Sequence, residues 1–140
     1  MTVKLSSLRA DLKRESDGDW VPYPELGSDV AFKVRALSYG PYQTKRDREA
    51  KRLAMRYPDG QIPQEEADRI DGQLLAEEIL LGWRGFDVPY SEEAALDTLS
   101  DPAYREVRFG VRSCAIRIAN IKVEFVDTAI KNSAPPSGKS

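Results

Sequence analysis

The sequence predicts a mostly α-helical α+β protein: a small N-terminal β-hairpin packed on a helical bundle with a long C-terminal helix. Three observations predict it. Val30, Phe32, Val34 and Ala36 alternate with Ala31, Lys33, Arg35 and Leu37 between turn signals, the pattern of a half-buried strand. Beyond residue 40 the apolar spacing changes to three and four, which is helical. The most regular run is Tyr104, Val107, Val111, Cys114, Ile118, Ile121 and Phe125, a stripe that predicts one long final helix.

Taken in order, Leu5, Leu8 and Leu12 sit at helical spacing, with Ser6 or Ser7 available as a cap, so a short amphipathic helix is expected within residues 3–14. Asp17-Gly18-Asp19 is a turn signal. It lacks the later ligands and closing glutamate of a calcium loop. Trp20, Val21 and Tyr23 are interrupted by Pro22 and Pro24, so this run can form only an edge strand. It completes the hairpin with the 30–37 strand. An isolated hairpin is marginal, so it must lie on helices.

Gly40-Pro41 opens a helix that runs from about Tyr42 to Tyr57 and stops before Pro58-Asp59-Gly60. A second helix starts near Pro63, which suits a first helical position. Its apolar face, from Ile70 to Leu81, widens toward Gly82, expected to end the helix. Trp83, Phe86, Pro89 and Tyr90 then fall in a short irregular link. Aromatics of this size bury roughly 150–250 Å² each, so they must pack under this chain or a partner. Ser91 is a good N-cap, followed by Glu92 and Glu93. Asp101-Pro102 is expected to cap and open the final helix.

The 140 residues are most simply one domain over 1–131. The short helix and hairpin occupy 3–38 and the helical part 41–131. Residues 132–140 have the composition of a disordered tail. Gly138-Lys139-Ser140 is no phosphate loop, because the first glycine and the flanking strand and helix are missing.

Composition points away from reaction chemistry. There is no histidine and one cysteine, which removes Ser–His and Cys–His pairs and imidazole zinc sites. Glu77-Glu78, Glu92-Glu93 and Asp68 with Asp71 offer carboxylates, but each suits a helix surface or first turn. No enzyme, cofactor or metal site is expected. Cys114 lies on the apolar stripe and reads as a buried small apolar group. No apolar run reaches the roughly 20 residues that span a bilayer, and there is no export signal core, so a soluble, unexported protein is expected.

Lys45, Arg46, Arg48, Lys51, Arg52 and Arg56 form the main basic feature. They could contact a phosphate backbone. However, the following helix carries Glu65, Glu66, Asp68, Asp71, Glu77 and Glu78, so mutual pairing of the two helices is the simpler expectation. The formal net charge of −2 likewise disfavours a general nucleic-acid binder.

Several stretches together resemble the tail assembly chaperones of long-tailed bacteriophages and prophages. They are Asp17-Gly-Asp-Trp-Val21 with Phe32-Lys-Val-Arg35, Glu77-Glu-Ile-Leu-Leu-Gly-Trp83, Val88-Pro-Tyr-Ser91 and Leu99-Ser-Asp-Pro-Ala-Tyr104. The resemblance spans about Leu5 to Phe125. It departs from the family between Trp83 and Pro89, where relatives often insert a polar turn. It implies a non-enzymatic protein of the host bacterial cytoplasm. Such a protein binds the tape measure protein, keeps it soluble and helps recruit tail tube subunits. Many of these chaperones also exist in a longer, frameshifted form.

A largely helical client calls for helix-in-groove recognition. Trp83, Phe86 and Tyr90 are expected to border the groove, with Val111, Ile118 and Phe125 as its floor. The competing expectation places all six in the internal core. Self-association stays open. The alternative functions are a structural tail component retained in the particle and a small nucleic-acid-binding accessory protein using 45–56.

Overall fold

A computed structural model describes residues 1–127 of the chain. The expected disordered tail, 132–140, lies outside the described residues. The fold is α+β and mostly helical. It divides into two compact units, Leu12–Ala119 and a smaller one built from Met1–Asp11 and the segment from Asn120 onward.

In the smaller unit, β1 (Thr2–Val3) pairs antiparallel with β5 (Phe125–Val126). A short 3₁₀ turn, Leu5–Leu8, follows β1. Ser7 ties the ribbon together: its hydroxyl donates to Lys4 O at 2.6 Å and accepts from Glu124 N at 3.0 Å. The helix expected within 3–14 is thus broken into this turn and α1 (Leu12–Asp17) of the larger unit. The final helix is also shorter than the stripe suggested. Ile121, Val123 and Phe125 alternate with Lys122 and Glu124, and this period of two wins over the helical spacing of Ile118, Ile121 and Phe125.

In the larger unit, β2 (Asp19–Pro22) and β3 (Ala31–Val34) form the expected hairpin, with Val21 opposite Phe32. The sheet has a third strand that the sequence did not announce. β4 (Leu80–Arg84) pairs antiparallel with β3, placing Trp83 opposite Phe32 and Gly82 opposite Lys33. Gly82 is therefore not a helix terminator. It leaves room for the Trp20 ring, which a Cβ there would meet at 3.3 Å.

The helices of this unit gather around the segment Leu75–Ile79, and the last of them packs on the sheet. α2 (Gly40–Arg56) follows the expected bounds. α3 (Gln64–Leu74) begins just after Pro63 and runs into a π-helical turn, Leu75–Ile79, that delivers the chain into β4. α4 (Glu92–Leu99) is capped by Ser91, whose Oγ accepts from Ala94 N at 3.0 Å. Ser91→Ala is expected to cost about 1 kcal/mol, measurable as a lowered urea midpoint with unchanged slope. α5 (Arg105–Arg117) starts later than Asp101-Pro102 suggested. Asp101 instead accepts from Ala103 N at 2.9 Å and makes a turn of its own. Phe32, Val34, Tyr42, Leu75, Ile79, Leu99, Val111 and Cys114 form the centre of the core.

Candidate partner-binding site

The aromatic residues of the 83–90 stretch form one cluster. Trp83, on β4, meets Phe86 edge-on at 5.7 Å and Tyr90 edge-on at 5.5 Å between ring centroids, the arrangement that ring quadrupoles favour. Phe86 reaches back to Phe32 at 5.9 Å. The Trp83 indole N–H donates to Val88 O at 2.8 Å, and the Tyr90 hydroxyl donates to Leu80 O at 3.4 Å. Burial pushes the Tyr90 phenol above its ordinary pKa. Gly85 allows the turn after β4: its φ is +92°, and a Cβ would lie 2.6 Å from Asp29 O. The link is thus pinned to the sheet at both ends.

Beside the cluster is a small apolar pocket of about 140 Å³, lined by Trp83, Phe86, Asp87, Val88, Thr98, Tyr104 and Val107. Small-molecule sites run roughly 300–1,000 Å³, so this pocket has room for about one side chain. Trp83 is 8% exposed and forms its wall, whereas Val88 and Tyr104 are 51% and 50% exposed and form its rim.

The residues expected to bind a partner divide accordingly. Trp83 and Phe86 line the pocket, and Tyr90 packs behind Trp83. Val111 and Ile118 are buried in the core and offer no surface, because their face of α5 is the one turned to the sheet. Phe125 is exposed, but it belongs to β5 of the smaller unit. Val88, Tyr104 and Val107 also line the pocket, although nothing in the sequence assigns them a partner-binding role. The apolar stripe places Tyr104 on the final helix; in the structure it lies just before α5, where the chain turns from α4, and its ring is half in solvent.

The basic residues of α2 are largely engaged. Lys45 pairs with Glu78 at 2.5 Å and Glu77 at 3.4 Å, and the Glu78 hydrogen bond holds its ammonium above the ordinary lysine pKa. Arg56 pairs with Glu66 at 3.3 Å and Arg52 with Glu49 at 3.2 Å. Arg46 donates to Gln43 at 2.7 Å, while Arg48 and Lys51 are exposed. The groove beside α2 is lined by Glu49, Glu66 and Glu77 as well as by Lys45, Arg48, Arg52 and Arg56. A phosphate backbone would meet both signs there.

Cys114 is fully buried, and burial pushes its thiol from 9.0 up to about 11. Thiolate is the reactive form, so alkylation at pH 8 should be at least tenfold slower in the folded protein than in urea. Because the thiol ionises near 9.0 when unfolded and near 11 when folded, its contribution to stability is intact below pH 9 and falls as pH rises toward 11. Among the described residues, no group of three Asp, Glu or Cys is placed to hold a metal. No helix among them is long and apolar enough to cross a membrane.

Comparison with known sequences gives the class: a prophage protein. The chain belongs to the YdaY prophage protein family, whose sequence model matches residues 37–132. That span contains α2 through α5 together with the Trp83 pocket. No curated protein and no solved structure matches the chain.

Proposed function

We propose that this prophage protein is a non-enzymatic tail assembly chaperone of the host bacterial cytoplasm, which binds the tape measure protein and helps recruit tail tube subunits. The observation that carries the reading is the pocket at Trp83, with its half-exposed rim of Val88 and Tyr104. It is sized for one apolar anchor and mounted on a sheet strand and a helix. An amphipathic helix docks through such anchors, and a long helical client would otherwise aggregate through them. Family membership supports the phage setting, and the resemblance of the Leu99–Tyr104 and Val88–Ser91 stretches supplies the tail-assembly role.

The test is co-expression with the tape measure protein of the same prophage. The expected result is a several-fold rise in soluble tape measure protein, in a complex that survives 1 M salt, as apolar contacts should. No rescue and no complex would remove the reading. Recovery of the protein from purified particles at subunit-like copy number would favour a retained structural component instead.

A further inference from the structure

We infer that Arg105, Arg108, Phe109 and Arg112 form a second docking surface, one that takes a carboxylate-bearing amphipathic helix of a partner. The surface does not rest on the tail-assembly reading. Phe109 lies two residues, roughly 200°, around α5 from Val107 of the Trp83 pocket.

Three observations meet here. The Phe109 ring is 62% exposed, and Ile116 extends an apolar line two turns further along the same face. Beside Phe109 is a depression of about 370 Å³, lined by Asp71, Arg105, Glu106, Arg108, Phe109 and Arg112. At its base Arg108 is 8% exposed, and its Nη1 is enclosed with no hydrogen-bond partner.

The neighbouring acids do not saturate this guanidinium. Asp68 stands 3.7 Å from Nη2 and Asp71 stands 3.9 Å from Nε, within ion-pair range but longer than hydrogen bonds. Asp71 gives its other oxygen to Arg112. A buried cation with an unused donor is costly, and negative charge brought into the depression above it offsets part of that cost.

The chemistry of the occupant follows from the lining. Arg105 and Arg112 border the depression and Arg108 lies buried beneath it, so one carboxylate there could be held by charge-assisted hydrogen bonds. Phe109 and Ile116 require an apolar counterpart along a helix-length line. A nucleic-acid backbone fits less well: its successive phosphates would face Glu106 and Asp71 and leave Phe109 uncovered.

Two synthetic helical peptides, identical except that glutamates beside a leucine ridge are glutamines in one of them, test this on the full chain. The readout is backbone and guanidinium NMR shifts. The glutamate peptide is expected to shift Arg105, Phe109 and Arg112 saturably and to bind at least tenfold tighter than the glutamine peptide. Phe109→Ala and Arg105→Ala, both at exposed positions, should each weaken binding several-fold while leaving the melting temperature within a few degrees. Equal affinity for the two peptides would overturn the inference. So would shifts centred on Trp83, no saturable shift at millimolar peptide, or tighter binding of a DNA duplex to the same residues.

Discussion

Gly72→Ala is expected to destabilise the larger unit by about 3 kcal/mol or more, a large effect for one methyl group. Gly72 lies in α3, where that helix crosses the end of α4. A Cβ there would stand 1.6 Å from Leu99 O and 2.4 Å from Leu99 C. These are backbone atoms, so no rotamer change relieves the clash and the two helices must separate. Leu74, Leu75 and Leu99, all buried, would lose packing together. The gain of about 1 kcal/mol in helix propensity from glycine to alanine opposes this and is too small to offset it. Gly40→Ala is the control, because nothing lies within 4 Å of its Cβ position. Urea denaturation should show a large fall in midpoint for Gly72→Ala and almost none for Gly40→Ala. A Gly72→Ala protein within 1 kcal/mol of wild type would contradict the close approach of α3 and α4.

Trp83→Ala is expected to cost about 3–5 kcal/mol. The substitution removes a nearly buried indole, two edge-on aromatic contacts and the hydrogen bond to Val88 O. Near-UV circular dichroism and a denaturation curve measure the loss. Trp83→Phe should retain more than half of the stability lost in Trp83→Ala, since a ring still meets Phe86 and Tyr90. A Trp83→Ala protein with wild-type stability would show that the indole is not part of the fold. The consequence for function is practical. Replacing Trp83 and Phe86 together perturbs the core and the pocket at once, so such a variant cannot report on binding. Val88 and Tyr104, at the rim, can.

Much of the architecture is legible in the sequence, and the failures have physical causes. The hairpin, α2 and the Ser91 cap follow from alternation, Gly-Pro punctuation and capping chemistry, all local signals. β4 does not, because the stretch from Ile79 to Trp83 is a short apolar run, and such a run reads equally as buried helix or buried strand. Only its pairing with β3, some fifty residues earlier in the chain, decides the matter. The end of α5 is ambiguous in the sequence for a related reason: Ile118, Ile121 and Phe125 fit a helix, while Ile121, Val123 and Phe125 fit a strand.

At the candidate site, the grouping of Trp83, Phe86 and Tyr90 was legible from their density in one link. That Val111 and Ile118 face inward was not, because an apolar stripe does not say whether it meets its own core or a partner. The pairing of Lys45 and Arg56 with Glu77, Glu78 and Glu66 follows the opposite charges of the two helices. The buried, under-satisfied Arg108 carried no local sequence signal. It arises because α5 sets this residue against Asp68 and Asp71 of α3 at slightly long range.

In the proposed function, the Trp83 pocket receives an apolar anchor of the tape measure protein. It is tested most directly by co-purifying that protein with tagged wild-type chain and with a Val88→Ser, Tyr104→Ser double variant. Both side chains are half exposed, so the variant should keep a melting temperature within a few degrees of wild type. It is expected to recover at least tenfold less tape measure protein. Undiminished recovery by a folded variant would contradict the claim.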